Sequence, residues 1–284
     1  MDTTISATGG PAASPYVHGY SVDEARRLGD QADSLAALLH AGTSYPPGSR
    51  VLEAGCGVGA QTAHLLRGSP GIRLTAVDID ARSLARARAR VAAAVPDAEV
   101  EWRRADVRRL PLDERSFDHV FVCFVLEHVP DPAAVLDGLR RVLRPGGTIT
   151  VIEGDHGSAF FHPDSAAARA VIRAQTRLQA AAGGDALIGR RLRPLLTAAG
   201  FAGVRVEPRT VYADASRPDL VEGFTRRTFT ALMAAAGADA AAAGLMDRAE
   251  WDRGIADLHR TAGEGGTFHY AFMKGTAVKP AARP

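Results

Sequence analysis

Short, unbroken apolar runs alternate with amphipathic segments through the first half of the chain. Runs that predict strands lie in RVLEAG, IRLTAVDID, AEVEWRRADV, SFDHVFVCFVLEHV and RPGGTITVIEGD. The segments between them, such as ARSLARARARVAAAV and DPAAVLDGLRRVL, have apolar residues at helical spacing and predict helices. Unbroken apolar runs suit parallel strands that are covered on both faces. The alternation therefore predicts an α/β fold with a mostly parallel sheet and helices on both faces.

The pattern changes after Gly154. We predict a loop at HGSAFFHPDS, whereas AAARAVIRAQTRLQAAA and IGRRLRPLLTAAG predict helices. FAGVRVEPRTVYAD and GTFHYAFMKGTAV predict two more strands. Between these strands, from Asp214 to Gly266, the alanine-rich chain predicts helices that break at Gly237, Gly244 and Gly254.

The segment before the first strand divides into a leader and a helix. Gly, Ala, Ser and Pro dominate before Pro15 and predict a flexible leader. SVDEARRLGDQADSLAALLH predicts a helix that Ser21 and Glu24 cap together. We expect four parts along the chain: a leader (1–15), an N-terminal helix (16–45), a sheet core (46–154), and a C-terminal half of the sheet whose helical insertions form a lid (155–284).

Charge and cysteine content narrow the class of protein. The 284 residues are 46% apolar and 23% charged, so the chain can form a packed core. The net charge is only +2 and the arginines form no basic block, which argues against nucleic acid or a membrane surface as partner. The start lacks the charged and apolar regions of a secretory signal. Cys56 and Cys123 lack metal-ligand spacing, so we expect a cytoplasmic protein with reduced thiols and no metal.

A glycine-rich turn after the first predicted strand is the first candidate site. Gly55, Gly57 and Gly59 form G-x-G-x-G at the start of a helix, and Asp78 ends the next strand, where a carboxylate can accept from ribose hydroxyls. A tight turn without a ligand would have the same spacing. Ala60 is also an accepted variant at the third glycine of a dinucleotide site, so the turn alone does not choose the cofactor. Asp80 is better explained as the cap of the next helix.

Several motifs in this region together resemble one family. VLEAGCGVG, AVDID, RRADVRRLPLDERSFDHVFVCFVLEHV and LRRVLRPGGTITVIE are similar in order and spacing to class I S-adenosylmethionine-dependent methyltransferases. The resemblance covers roughly residues 50–153, and the LRPGG turn before a strand is especially typical. It implies a Rossmann-like sheet of seven strands and S-adenosyl-L-methionine as cofactor.

The resemblance also implies a role for the positions around the glycine turn. The turn should pass under the methionine portion of the cofactor, and Glu53 matches the family's acid at the end of the first strand. Asp78 should hold the ribose hydroxyls, and Ile79 should pack on the adenine.

Three further positions complete the implied cofactor site. Asp106, flanked by Val107, should accept from the adenine amino group, although it could instead only cap the next turn. Phe124 should present its backbone near the methionine end, or else be ordinary core.

The predicted N-terminal helix resembles the one that lies over the cofactor in actinobacterial small-molecule methyltransferases. By that analogy Tyr20 closes over the methionine end, and Arg27 and Gln31 reach toward the cofactor. Helical spacing puts Arg27 and Gln31 on one face, which could also be a solvated polar face.

Candidate general bases follow the fourth and fifth strands, where the acceptor is expected because ligands bind beyond the carboxyl ends of such strands. They are Glu153, Asp155, His156, His162 and His128. Phe160 and Phe161 are candidates for apolar walls of the acceptor site. Each histidine could equally be a cap or a surface residue.

The sequence therefore predicts a methyltransferase that acts on a small molecule in secondary metabolism, at carbon, nitrogen or oxygen. An indole-containing peptide or alkaloid is one candidate acceptor, and the helical insertions could form a homo-oligomer. The alternatives are a nucleotide-dependent oxidoreductase and a non-catalytic protein of the same fold.

Overall fold

A single sheet of seven strands organises the protein, whose computed structural model describes residue 32 and residues 34–281. The strands are β1 (Arg50–Ala54), β2 (Arg73–Asp78), β3 (Val100–Arg104), β4 (Phe117–Cys123), β5 (Leu143–His162), β6 (Ala202–Ala213) and β7 (Thr267–Val278). Their order across the sheet is β3-β2-β1-β4-β5-β7-β6. The pairs from β3 to β5 are parallel, and β7 runs antiparallel between β5 and β6. The prediction of a seven-stranded, mostly parallel Rossmann-like sheet is confirmed.

Helices cover the two faces of the sheet. The helices are α1 (34–39), α2 (Ala60–Gly68), α3 (Ala81–Ala94), α4 (Pro132–Val142), α5 (Ala166–Ala181), α6 (Leu192–Ala198), α7 (Pro218–Leu220), α8 (Ala231–Ala235), α9 (Gly237–Ala242) and α10 (Arg248–Arg260). A π-helical segment, Val221–Thr230, joins α7 to α8. Short 3₁₀ turns lie at Val107–Arg109, Leu126–His128 and Ile188–Arg191.

Helix α4 illustrates how the amphipathic pattern becomes packing. Asp131 caps the helix by accepting from the backbone N–H of Ala134 at 3.0 Å, and Pro132 fills the first helical position. Its apolar stripe, which includes Leu136 and Leu139, is fully buried against the sheet. Burial of one such leucine stabilises the fold by about 1.5–3 kcal/mol. In the same way Asp80 caps α3 through the N–H of Ser83 at 2.7 Å, which confirms its predicted role.

The predicted loop HGSAFFHPDS is wrong, because β5 continues through it to His162. A bulge follows Asp155, and the ladder with β7 resumes where Phe160 pairs with His269. Polar groups bridge the bulge: Asp155 accepts from the N–H of Gly157 at 3.0 Å, and Ser158 Oγ accepts from the N–H of Ala271 at 2.8 Å. The partner strand is distant in the sequence, so the local pattern did not reveal it.

The predicted break at Gly254 is also wrong, because this residue lies inside α10. A Cβ at Gly254 would lie 2.8 Å from the carbonyl oxygen of Ala167 on α5. The glycine therefore allows two helices to approach closely and does not end one. At Gly244 the backbone is left-handed (φ +65°), and α9 does end just before it.

The N-terminal helix is described only near its end. Leu35 and Leu39 of α1 are buried in the core, as the apolar stripe predicts. The Nζ atom of Lys274 on β7 donates to the carbonyls of Leu39 (3.3 Å) and Ala41 (2.7 Å) and thereby holds the end of this helix. The predicted leader and the cap at Ser21 lie outside the described residues. Across the described ranges, no helix is both long and apolar enough to cross a bilayer.

Candidate active site

The carboxyl ends of β1, β2 and β4 meet at one edge of the sheet, next to the point on β5 where its parallel ladder with β4 ends at Ile152. Strand β1 lies between β2 and β4, so the strand order reverses there. A crevice forms at such a switch point, because the connections on its two sides leave in opposite directions. The glycine turn, Asp78 and the turn after β4 all border this crevice.

Gly57 and Gly59 of the turn have different structural roles. Both have left-handed backbones, with φ of +52° and +73°. A Cβ on Gly59 would lie 2.8 Å from the Cα of Ala87, so this glycine lets α3 pack on the turn. Among the described residues, a Cβ on Gly57 would meet nothing within 4 Å. The Gly57 backbone therefore faces open space that a ligand can fill.

Asp78 ties the end of β2 to the glycine turn. Its Oδ2 accepts from the N–H of Gly57 at 2.8 Å, and its Oδ1 accepts from the N–H of Asp80 at 2.9 Å. Burial raises the pKa of the Asp78 carboxyl, and the two backbone donors oppose that shift. Each oxygen keeps a second lone pair, so the group can still accept from two hydroxyls.

Glu53 is buried under the site and braces the next helix. It is 2% exposed, and its Oε2 accepts from the hydroxyl of Thr62 on α2 at 2.7 Å. Burial, and next the charge of Asp78, raises the pKa of Glu53 to about 7. A contact between Glu53 and a ligand stays a prediction.

The positions expected around an adenine border the same edge. Asp106 caps the turn that follows β3, because it accepts from the N–H of Arg108 at 2.9 Å. The Arg108 guanidinium also pairs with it at 2.7 Å and lowers the pKa of the Asp106 carboxyl. Ile79 and Val107 are half-buried. Asp106 therefore does cap this turn, as the alternative interpretation of the sequence predicted. Its contact with the adenine stays a prediction.

Phe124 has a strained backbone where β4 ends. Its φ is +58°, and the left-handed region costs a residue with a Cβ about 1–2 kcal/mol. Its N–H donates to the carbonyl of Ile152 at 2.9 Å, and its ring lies 5.3 Å from that of Phe272. Strain of this kind concentrates at functional sites.

Glu153 is fully buried within β5, one residue past the end of its parallel ladder with β4. Its Oε1 accepts from the N–H groups of Val125 (3.1 Å) and Leu126 (2.8 Å), and so holds the turn after β4. Burial, followed by the charge of Glu127, raises the pKa of Glu153 well above its usual range. This geometry makes Glu153 a positioning residue.

The histidines and Asp155 differ in how close they lie to the crevice. His128 Nε2 lies 3.5 Å from Glu127 Oε1 beside the crevice. His156 is buried, with Nδ1 3.1 Å from the carbonyl of Ala186 and 3.5 Å from the Tyr270 hydroxyl. Asp155 forms a bidentate pair with the guanidinium of Arg190. His162 is exposed at the far end of β5, so the structure does not bring it to the other candidates.

The predicted apolar walls lie on the extension of β5. Phe160 is 59% exposed and stacks on His269 at 3.9 Å, whereas Phe161 is buried against Phe268. The aromatic residues nearer the crevice are Phe272 and Tyr270 of β7, which sequence reasoning missed. Their period-two spacing in TFHYAF was the available signal.

Tyr20, Arg27 and Gln31 lie outside the described residues. Within the described ranges, no group of three or more His, Cys, Asp or Glu side chains is arranged to hold a metal ion. Cys56 and Cys123 are free and buried, and burial raises the pKa of both thiols. Both therefore lack the thiolate character that a nucleophile needs.

Known proteins are similar to parts of this chain in sequence, and to most of it in fold. The family described as "Methyltransferase domain" matches residues 52–151. An uncharacterized 37.1 kDa protein in transposon TN4556 of Streptomyces fradiae is 36% identical over 208 residues, which are 72% of this chain and 59% of that protein. The 27-O-demethylrifamycin SV methyltransferase of Amycolatopsis mediterranei is 32% identical over 47% of this chain and 49% of its own length. The chain thus spans about half to three fifths of these relatives.

A solved structure is similar in fold alone. The [4+2]-cyclase SpnF is 22% identical, with a TM-score of 0.54 over 89% of this chain and 81% of that one. Together, the motifs, the sheet order and the sequence relatives show that residues 52–151 form a methyltransferase domain of the class I S-adenosylmethionine-dependent family. The resemblance drawn from the sequence is confirmed. The cyclase also shows that the fold by itself does not decide the reaction.

Proposed function

We propose that the protein transfers a methyl group from S-adenosyl-L-methionine to a small molecule. The observation that carries this proposal is the pairing of Gly57, whose backbone faces open space, with Asp78, whose carboxylate can accept from two hydroxyls. Family membership supports the choice of this cofactor over a dinucleotide.

The residues present fit the cofactor. The glycine turn leaves room for the methionine portion, Asp78 would hold the ribose, and Asp106 and Ile79 would border the adenine. The bound cofactor supplies a methyl group on a sulfonium, which already contains its leaving group. The protein's own task is therefore to align the acceptor and to manage one proton.

His128 is the residue best placed to take that proton. It lies on the turn that Glu153 holds, beside the strained Phe124 and next to the crevice. His156 is an alternative, but it is buried and bonded to Ala186. In this proposal His128 is the general base, and His156 positions the acceptor pocket.

A role in secondary metabolism is part of the proposal. It is supported by the similarity to a methyltransferase named for a rifamycin and by the predicted actinobacterial character of the motifs. The acceptor would enter between the turn after β4 and the aromatic side chains of β7.

Binding calorimetry with S-adenosylhomocysteine and with NAD⁺ tests the cofactor assignment. We expect S-adenosylhomocysteine to bind and NAD⁺ not to bind. Transfer of a labelled methyl group from S-adenosyl-L-methionine to an acceptor panel then tests the reaction. Binding of NAD⁺ alone would support an oxidoreductase, and cofactor binding without transfer to any acceptor would support a non-catalytic protein.

A further inference from the structure

We infer that the acceptor is an amine, held as a cation by Glu127 against the rings of Phe124, Tyr270 and Phe272. This inference rests on the proposed function and names its substrate class. Glu127 was not among the residues that sequence reasoning selected.

Glu127 and Glu153, here called the acid pair, are buried carboxyl groups. They are 8% and 0% exposed; Glu127 lies on the turn after β4, and Glu153 lies within β5, one residue past its parallel ladder with β4. Burial and the charge of Glu127 raise the pKa of Glu153 well above its usual range, so Glu127 carries the negative charge of the pair. Within the described ranges, His128 is the only basic side chain that forms an ion pair with either group. In the neutral form that a general base needs, His128 leaves the charge of Glu127 without a cationic partner among the described residues, and a ligand cation would supply one.

The nearby guanidinium groups are already engaged. Arg190 forms a bidentate pair with Asp155, and Arg191 pairs with Asp185 at 2.6 Å. Asp185 itself belongs to the same region, since its N–H donates to the carbonyl of Glu127 at 2.8 Å. Neither arginine can neutralise the acid pair without leaving its own carboxylate.

Two fully buried acceptor atoms add to the polarity of this region. Among the described residues, Glu153 Oε2 and Gln175 Oε1 have no hydrogen-bond partner. Gln175 donates to Gln179 at 3.1 Å, and Gln179 donates to the carbonyl of Glu127 at 3.0 Å. The amide donors are thus used within the chain, and oxygen acceptors remain, which suits a ligand that brings N–H donors.

Aromatic rings cluster where β4 ends and on the segment of β7 that pairs with β5 next to Glu153. The ring of Phe272 is 5.3 Å from that of Phe124 and 4.8 Å from that of Tyr270. Burial raises the pKa of the Tyr270 hydroxyl, and the charge of Glu127 adds to that effect. Ring faces attract cations, so carboxylates and rings favour the same ligand charge.

Other acceptor classes fit less well. A carboxylate or phosphate acceptor would place a second anion beside the acid pair, and the described chain offers it no unpaired arginine there. A neutral alcohol could donate a hydrogen bond but would leave the negative charge of Glu127 uncompensated.

The reaction balances with residues on the turn after β4. The bound ammonium first loses a proton to His128 Nε2, which frees the nitrogen lone pair. The lone pair forms the new N–C bond as the C–S bond breaks, and that electron pair stays on sulfur. The methylated product is again an ammonium ion beside Glu127, and the proton on His128 leaves to solvent.

Three matched probes test the ligand charge: tryptamine, indole-3-ethanol and indole-3-propionate. Each is titrated into the full protein saturated with S-adenosylhomocysteine. We expect tryptamine to bind at least about tenfold more tightly than the alcohol, because hydrogen bonds to charged groups exceed neutral ones by that much, and the acid to bind most weakly. Equal binding of alcohol and amine, or no binding of the amine, would overturn the inference.

Glu127→Gln tests the residue, and Glu264→Gln, at an exposed position, is its matched control. We expect Glu127→Gln to remove the preference for tryptamine while its affinity for S-adenosylhomocysteine stays within about twofold of wild type. A preference that survives in Glu127→Gln would contradict the assignment. If S-adenosylhomocysteine itself does not bind the wild type, the proposed function fails, whereas cofactor binding without amine preference overturns this inference alone. The wild-type titration decides the question even if Glu127→Gln does not fold.

Discussion

The two halves of the sheet are built differently. Strands β1 to β4 are 5–7 residues long and parallel, and the groups that border the cofactor crevice come from neighbouring βα units. Strands β5 to β7 are 12–20 residues long and pair in an antiparallel manner, so their contacts join distant parts of the chain. Asp78 reaches Gly57 across one βα unit, whereas Ser158 meets Ala271 across nearly half the protein. We conclude that the cofactor half rests on local motifs, and the acceptor half on long-range pairing.

The largest effect is expected at the glycine turn of the cofactor half. Gly59→Ala would press a methyl group against Ala87 and strain a left-handed backbone. Overpacking and strain together should lower the free energy of unfolding by about 2–5 kcal/mol, measured by urea denaturation.

Gly57→Ala is the matched control for that variant. It has the same left-handed strain but no clash, so we expect a loss of about 1–2 kcal/mol together with weaker S-adenosylhomocysteine binding. Equal destabilisation by the two variants would show that α3 does not pack on the turn.

Glu53 makes the free energy of unfolding depend on pH. Its pKa is about 7 in the folded state against an ordinary value of 4.5, so folding favours the protonated form. Below pH 4.5 Glu53 is protonated in both states, and its burial does not lower the free energy of unfolding. As the pH rises from 4.5 through 7, the unfolded state ionises first and the free energy of unfolding falls. Glu53→Gln should therefore gain stability relative to wild type by about 3 kcal/mol between pH 4.5 and 8, measured by urea unfolding. A gap that is independent of pH, as we expect for exposed Glu264→Gln, would contradict this.

Histidine variants separate binding from turnover in the acceptor half. A general base contributes at least about 100-fold, so His128→Asn should lower methyl transfer by that factor and leave S-adenosylhomocysteine affinity within about twofold. His156→Ala should also lower turnover more than cofactor affinity. His162→Asn should change neither, because this side chain is exposed at the far end of β5. A large turnover loss in His162→Asn would place the acceptor on that extension.

The smallest effect concerns Phe124, where the two halves meet. At a left-handed position glycine is favoured over alanine, so Phe124→Gly should be more stable than Phe124→Ala by about 1 kcal/mol in thermal unfolding. Phe160, in a regular strand, should show the opposite order by about 0.5–1 kcal/mol. The same order at both positions would mean that Phe124 is not strained.

The sequence predicted the cofactor half well because its determinants are local. The glycine turn, Asp78, and the caps Asp80 and Asp131 each lie within a few residues of the backbone that they organise. Their spacing therefore carries the geometry.

The acceptor half was predicted less well for a physical reason. The extension of β5 depends on β7, and the packing role of Gly254 depends on Ala167 of another helix. Glu127 likewise gains its surroundings from Gln179 and Tyr270, which are far along the chain. Local periodicity does not show such partners, so the loop and the helix break were predicted wrongly.

Calorimetric titration of S-adenosylhomocysteine into Asp78→Asn and Glu127→Gln tests most directly the claim that the two halves have separate tasks. Asp78→Asn loses the charge and one acceptor at the ribose position, so the affinity should fall at least about tenfold. In Glu127→Gln the affinity should stay within about twofold of wild type. Unchanged affinity in Asp78→Asn, or a comparable loss in Glu127→Gln, would contradict the account.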